Sequence, residues 1–362
     1  MVTPHSKQIL VAPLDWGLGH TTRCIPLIRH LHRLGHQVTI AGNDSQVKFL
    51  TEYFPSIPSL SLQGYNVSYS RHPSAFMTKL LKQVPRILKI IKEEHFWLQQ
   101  QVQRYRFDGI ISDNRYGLFH KTIPSVILTH QLQVQTGLGN TIDSLVRLQH
   151  YRYLNRFTEC WIPDLEGPLN LSGRLGHPDS LPSHTRYLGL VSQFERPIQN
   201  LEEHILILLS GPEPQRSVLA DKIWQQLSQI SQPVVFVAGS DIAPRPESIP
   251  SNVQYFGRLT QKELQPLLER ASLVICRSGY SSVMDITTLG KKAVLIPTPG
   301  QTEQEYLAKE CFRSGQFLYA NQRDFNLKAA IKEAETFSFR QQFSPELFIR
   351  YQSVLANWLA IL

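Results

Sequence analysis

The stretch from residue 273 to 297 constrains the fold more tightly than any other part of the chain. An apolar run, residues 273–276, leads into Arg277-Ser278-Gly279-Tyr280-Ser281-Ser282. A helical pattern follows through Asp285, stops at Gly290 and gives way to a second apolar run, residues 293–297. Strand, glycine-serine turn, helix and strand in that order predict an α/β sheet. The turn directs backbone N–H groups and hydroxyls to one spot at the positive end of a helix dipole, which suits a phosphate. Asp285, one helical turn further in, is placed to accept hydrogen bonds from ribose hydroxyls. These residues point to a bound nucleotide.

The N-terminus opens in the same way. Residues 9–13 read as a buried strand, 15–20 as a glycine-containing turn, 21–34 as a helix stopped by Gly35, and 37–41 as the next strand. This is the start of a doubly wound sheet. Further strands are predicted at 107–112, 125–129 and 159–163, the first two followed by polar residues. The polar segment 192–203, with Pro197 and no apolar periodicity, reads as a linker. After it the pattern restarts, with strands at 204–209, 234–238 and 253–256 and helices at 217–230 and 264–271. At 362 residues the chain is long for one core. The expected division is an N-terminal domain over 1–193, a second Rossmann-like domain over 200–343, and a terminal helix, 344–362, packing back on the first.

In the first turn Gly17 and Gly19 let the backbone approach a ligand. His20 follows at a helix N-terminus, where the dipole favours the neutral, basic imidazole. That suits a general base taking a proton from a hydroxyl; the alternative is a histidine that only caps the helix. Ser210 and Gly211 follow the second domain's first strand and lack G-x-G-x-x-G spacing, which disfavours a dinucleotide dehydrogenase. They offer a phosphate contact or a plain turn. Arg277 is a candidate to neutralise a departing pyrophosphate. Phe256, ending a short strand, is assigned with the donor-binding residues. Gln304 and Glu305 open a helix and either bind sugar hydroxyls or cap it. Asp113, Arg115, Tyr116 and His130 fall at strand ends, where α/β sheets gather ligands. Asp113 is a candidate to orient His20, and Arg115, Tyr116 and His130 to face the acceptor. With no Asp-x-Asp pair and no i, i+4 histidines within one predicted helix, no metal or other cofactor is expected.

The net charge of +8 is uneven. Residues 1–195 carry 20 basic against 13 acidic side chains, and residues 71–106 carry eight against two. Met77, Leu80, Leu81, Val84, Leu88, Ile91, His95 and Leu98 share one helical face, with Lys79, Lys82, Arg86, Lys89 and Lys92 in a stripe beside it. Pro85 should kink or split this helix. The segment 77–106 either packs on the core with a solvated basic face or meets an anionic membrane. No nucleic-acid motif is present. Four dispersed cysteines and no apolar run near about 18 residues fit a cytoplasmic chain, at most peripheral to the inner face of the cell membrane.

The segment C-R-S-G-Y-S-S-V-M-D, followed by A-V-L-I-P and Q-E-Y, resembles the donor-binding signature of glycosyltransferase family 28, a GT-B family. The first glycine turn and the two-domain layout are similar as well. The first turn W-G-L-G-H-T-T-R, with I-S-D-N-R-Y-G and T-H-Q-L, is nearer a microbial branch distinct from the peptidoglycan enzyme. The resemblance implies an α/β fold of two Rossmann-like domains with a cleft between them. It also implies a nucleotide-sugar co-substrate, UDP-linked, held by the C-terminal domain. Ser278 and Gly279 would lie by the diphosphate, with Ser281 and Ser282 among the donor-binding residues, Asp285 by the ribose, and Gln304 and Glu305 by the sugar. His20 falls on the family's G-x-G-H position. The expected activity is metal-independent, inverting sugar transfer to a hydroxyl acceptor that is lipid-linked if the basic segment meets a bilayer. The alternatives are a nucleotide-sugar hydrolase or epimerase, and a non-catalytic nucleotide-sugar-binding subunit.

Overall fold

The computed structural model describes residues 6–65, 76–133, 139–196, 202–240, 247–340 and 343–362; the side chains of 76–82 and of residue 140, and so Met77, Lys79, Leu80, Leu81 and Lys82, lie outside the description. The chain divides into two compact units, one running to Gln193 and including Ser344–Leu362, the other covering Phe194–Phe343.

In the first unit, β1 (Gln8–Pro13) shows how the sequence builds both faces of a sheet. Ile9 and Val11 point to one side and bury against Cys24, Ile25, Ile28 and Leu31 of α1 (Leu18–Arg33). Leu10 and Ala12 point to the other, as the two-residue period requires. The remaining elements are β2 (Gln37–Gly42), α2 (Asp44–Tyr53), β3 (Ser59–Ser61), α3 (Phe76–Tyr105), β4 (Gly109–Asp113), β5 (Ser125–Leu128), α4 (Asn140–Leu154), β6 (Glu159–Ile162) and β7 (Thr185–Tyr187). All seven strands are parallel, in the order β3-β2-β1-β4-β5-β6-β7. The order reverses between β1 and β4, so a crevice opens where their carboxyl ends diverge.

Helix α3 departs from the sequence expectation. It runs through Pro85 without being split. Pro85 is exposed, so the carbonyl left without an N–H partner can turn to water. The buried face in its described part is Ile90, Ile91, Glu94 and Leu98, whereas Val84 and Leu88 are exposed. The helix is rotated from a purely apolar register because Glu94 is drawn inward by Arg115.

The second unit repeats the plan with β8 (His204–Leu208), α5 (Gln215–Trp224), β9 (Val234–Val237), β10 (Val253–Phe256), α6 (Gln261–Glu269), β11 (Ala271–Cys276), α7 (Tyr280–Leu289), β12 (Ala293–Leu295), α8 (Thr302–Arg313), β13 (Leu318–Tyr319) and α9 (Leu327–Thr336). Its parallel order is β10-β9-β8-β11-β12-β13, and the reversal falls between β8 and β11. Gly290 ends α7 in the left-handed conformation at φ 63°, the backbone state glycine adopts most cheaply. The last helix, α10 (Arg350–Leu359), buries Leu355 and Trp358 in the α1 face of the first unit. Among the described residues no helix is long and apolar enough to cross a membrane.

Candidate active site

The crevice of the first unit is built by three strand ends. Beyond β1, the turn is held by Gln46, a buried residue whose α2 position is set by a capping box with Asn43. Its amide donates to the carbonyls of Pro13 (3.1 Å) and Leu14 (2.9 Å). Gly17, at φ 82°, then turns the chain into α1, where it stands at the N-cap with no side-chain capping bond. His20 therefore sits in the first helical turn. Asp113 ends β4, and His130 follows β5.

These residues meet around one carboxylate. His20 Nδ1 lies 3.2 and 3.3 Å from the two Asp113 oxygens. Arg23, three residues after His20, donates from Nε to Asp113 Oδ2 (2.7 Å) and from Nη2 to Oδ1. Arg23 Nη1 donates to His130 Nδ1 at 2.9 Å, and Nη2 lies 2.7 Å from His20 Nδ1. Asp113 is fully buried, while His20 keeps 13% of its side chain exposed. Burial lowers the His20 pKa; Arg23 adds to this and Asp113 opposes it. Burial alone would raise the Asp113 carboxyl, but the charges of Arg23 and His20 and their hydrogen bonds hold it below the usual carboxylate range. At neutral pH the site thus presents a neutral imidazole beside an ionised carboxylate.

Arg115 requires a correction. Expected to face an acceptor, it is fully buried. Its Nε donates to Glu94 Oε1 (2.7 Å), and its other nitrogens reach the carbonyls of Pro13 (3.4 Å) and Gln63. Glu94 Oε2 accepts from the Tyr65 hydroxyl (2.7 Å) and the Gly117 N–H (3.1 Å). A buried guanidinium has to spend its donors inside, and here they tie three segments behind the crevice. Tyr116 is half-buried, its hydroxyl 3.0 Å from His150 Nε2 and its ring edge-on to Tyr153. With Trp16 it lines an apolar cluster that includes Leu14, Ile90 and Ile91.

In the second unit the candidate residues gather at the carboxyl ends of β8, β10, β11 and β12. Helix α7 begins after Gly279 with no side-chain capping bond. Ser278 is buried and donates to the Gln304 carbonyl (2.8 Å), while Ser281, Ser282 and Asp285 are half-buried in the first turns of α7. Ser210 and Gly211 are exposed after β8, with Gly211 at φ 97°. A Cβ on Gly211 would lie 3.7 Å from the hydroxyl of Thr298, a buried side chain whose oxygen has no protein partner. Phe256 is half-buried at the end of β10.

Arg277 is a second correction. It is 1% exposed, and its terminal nitrogens donate to the carbonyls of Ile296 (3.2 Å), Pro297 (3.1 Å) and Gln215 (2.6 Å). Burial pulls its pKa down to about 10, still charged at neutral pH. It braces the strand ends and is not presented to a pyrophosphate. Gln304 and Glu305 are tied to the loop that precedes α8: Gln304 Oε1 accepts from the Thr298 N–H (2.9 Å) and Glu305 Oε1 from the Gly300 N–H (2.8 Å).

Sequence reasoning passed over Arg23, Glu94, Tyr65 and Thr298. The i, i+3 spacing of His20 and Arg23 was the available signal for the first. Nothing local marked the others.

Two parallel sheets with reversals at β1/β4 and β8/β11, each with a glycine turn at the reversal, define a GT-B architecture. The structure is similar over 99% of its length to 96% of the glycosyltransferase of kitacinnamycin, with TM-score 0.62 and 17% identity. It matches the spinosyn rhamnosyltransferase SpnG, complexed with thymidine diphosphate, with TM-score 0.61 and 14% identity over 98% and 96% of the two chains. Residues 216–346 match the glycosyltransferase family 28 C-terminal domain. Across 82% of this chain and 81% of the other, the sequence is 22% identical to an uncharacterized glycosyltransferase of Methanosarcina acetivorans. A stretch of 55 residues, 15% of each chain, is 44% identical to the UDP-N-acetylglucosamine--N-acetylmuramyl-(pentapeptide) pyrophosphoryl-undecaprenol N-acetylglucosamine transferase of Desulforudis audaxviator. The protein is a glycosyltransferase of the GT-B type, and its C-terminal part is similar to the family 28 domain.

Proposed function

We propose that the protein transfers a sugar from a UDP-sugar to a hydroxyl acceptor with inversion and without a metal. The observation that carries this reading is the His20–Asp113 pair at the β1/β4 reversal, a partly accessible neutral imidazole backed by a buried carboxylate. His20 Nε2 takes the acceptor's hydroxyl proton as the acceptor oxygen bonds the anomeric carbon. The anomeric C–O bond breaks on the opposite side, and the diphosphate leaves with the electron pair. Asp113 stabilises the imidazolium formed. The uncapped N-terminus of α7 stabilises the departing charge, with Gly279 and the hydroxyls of Ser281 and Ser282 beside it. Gly17, Gly19, Ser210, Gly211, Phe256, Asp285, Gln304 and Glu305 complete the donor contacts in this reading. UDP is favoured over TDP by the relatives that use UDP-N-acetylglucosamine.

His20→Ala should lower kcat by roughly 10²- to 10⁴-fold while leaving UDP binding, read by calorimetry, unchanged. Transfer at the wild-type rate would remove His20 from the mechanism. The same assay without acceptor separates the hydrolase reading: UDP released as fast with water alone would make water the acceptor.

A lipid-linked acceptor at a membrane surface is favoured by what α3 and α4 leave uncovered. Val84, Leu88 and Phe96 are exposed on α3 beside exposed Arg86, Lys89 and Lys92, and Ile142, Leu145 and Leu148 are exposed on α4. Apolar side chains among basic ones are the chemistry of a peripheral contact with an anionic bilayer. The full chain should sediment with vesicles containing phosphatidylglycerol and not with phosphatidylcholine alone. Equal partition to both would sink the electrostatic contact.

A further inference from the structure

We propose that Arg23 is a positioning residue that sets the protonation state of His20 by dividing the Asp113 carboxylate between itself and the imidazole. This rests on the reading of His20 as the base. The two residues are one helical turn apart on α1, and their side chains converge on the same acceptor. Arg23 is 4% exposed, and all three of its guanidinium nitrogens are engaged, with Asp113, His130 and His20.

The decisive atom is Nη2 of Arg23, which contacts both His20 Nδ1 (2.7 Å) and Asp113 Oδ1. A ring nitrogen either accepts or donates, so the two contacts of His20 Nδ1 exclude each other. When Nδ1 accepts from Arg23, the imidazole hydrogen resides on Nε2, and that nitrogen has no lone pair for a substrate proton. When Nδ1–H donates to Asp113, at 3.2 to 3.3 Å, Nε2 is free to act as base. The shorter Arg23 contact fits the first arrangement. Shifting Nη2 wholly onto Asp113 converts it to the second.

The groups around His20 leave this role to Arg23. The groups acting on its charge are Arg23 from α1, Asp113 from β4 and His130 after β5. Cys24, 4.0 Å from Asp113 Oδ2, is kept as a neutral thiol by burial, and Tyr116 is kept as a neutral phenol by the same cause. Burial is the largest cause lowering the His20 pKa; Arg23 adds to it and Asp113 opposes both, so removing Arg23 takes away one lowering charge and shifts the balance toward the carboxylate.

The test is a nitrogen-15 NMR titration of the histidines of the full chain, in wild type, Arg23→Met and Arg23→Lys, together with pH profiles of kcat/KM. In Arg23→Met, His20 should titrate at higher pH and the acid limb of the profile should move with it. Relative to its own plateau, activity at the acid end should fall about tenfold for each unit of displacement. Arg23→Lys keeps the charge but cannot fork, so it tests the proposal even if Arg23→Met fails to fold. Its His20 nitrogen shifts should move from the Nε2–H toward the Nδ1–H tautomer. A folded Arg23→Met in which His20 titrates as in wild type would overturn the proposal, as would an unchanged tautomer in Arg23→Lys. A shifted His20 titration with an unmoved acid limb would support the control by Arg23 while removing His20 as the base.

Discussion

At the scale of single residues, Gly279 separates a backbone need from a ligand need. Its φ is −66°, which any residue adopts, and a Cβ built there meets nothing closer than Ser282 Oγ at 4.0 Å. Gly17 and Gly211, at 82° and 97°, are glycines that the chain itself requires. At Gly279 the protein has no internal use for glycine, whereas a phosphate approaching an uncapped helix end does. Gly279→Ala should fold with stability unchanged or raised by about 0.4–1 kcal/mol. It should weaken UDP binding by about tenfold, or ~1.4 kcal/mol. Calorimetry and a thermal melt on the same sample check both parts. Wild-type affinity in the variant would move the diphosphate away from α7.

At the scale of elements, α10 is held by one large side chain. Trp358 is 1% exposed, with its ring 5.5 Å from and edge-on to Trp161. It packs so closely on β4 that a Cβ at Gly109 would come within 2.5 Å of it. Gly109 leads the strand that ends in Asp113, so the packing of α10 and the seating of the carboxylate share one strand. Trp358→Ala removes a buried indole from a filled site and should cost about 3–5 kcal/mol, read as a lowered urea midpoint. A loss below about 1 kcal/mol would mean that α10 contributes little to this core.

At the scale of the whole molecule, buried histidines make stability depend on pH. His150 is held down to about 4 by burial, and His20 is also lowered, burial being the largest cause. Between the ordinary value of 6.5 and about 4, the unfolded chain binds a proton at His150 and the folded chain does not. Stability contributed by this group is therefore complete above pH 6.5 and is lost as pH falls through that window. The loss for His150 is about 3 kcal/mol. Asp113, lowered in the fold, acts in the same direction, but only below its ordinary 3.8. Urea unfolding compared at neutral pH and near the lower end of the window should show the drop, and His150→Gln should flatten it. A flat wild-type profile would mean that His150 is not buried in its neutral form.

What the sequence determined by itself was whatever short-range chemistry controls. Apolar runs ending in glycine turns announced β1, β8, β11 and β12, and the residues of those turns placed Gly17, His20, Ser278 and Gly279 at strand ends without any knowledge of the fold. Short edge strands such as β3 and β7, and the half-polar helices α2 and α4, passed unread because no strong periodicity marks them. The tertiary structure alone decided where charged side chains spend their donors. Arg115 and Arg277 look like ligand-binding cations in the sequence, yet both are sealed inside, because Glu94 and a ring of strand-end carbonyls were brought to them by folding. Arg23 looked unremarkable, yet it reaches a carboxylate 90 residues away. A turn's conformation is fixed by neighbours in the chain, whereas a charge needs a partner in space, and only the packed sheet supplies one.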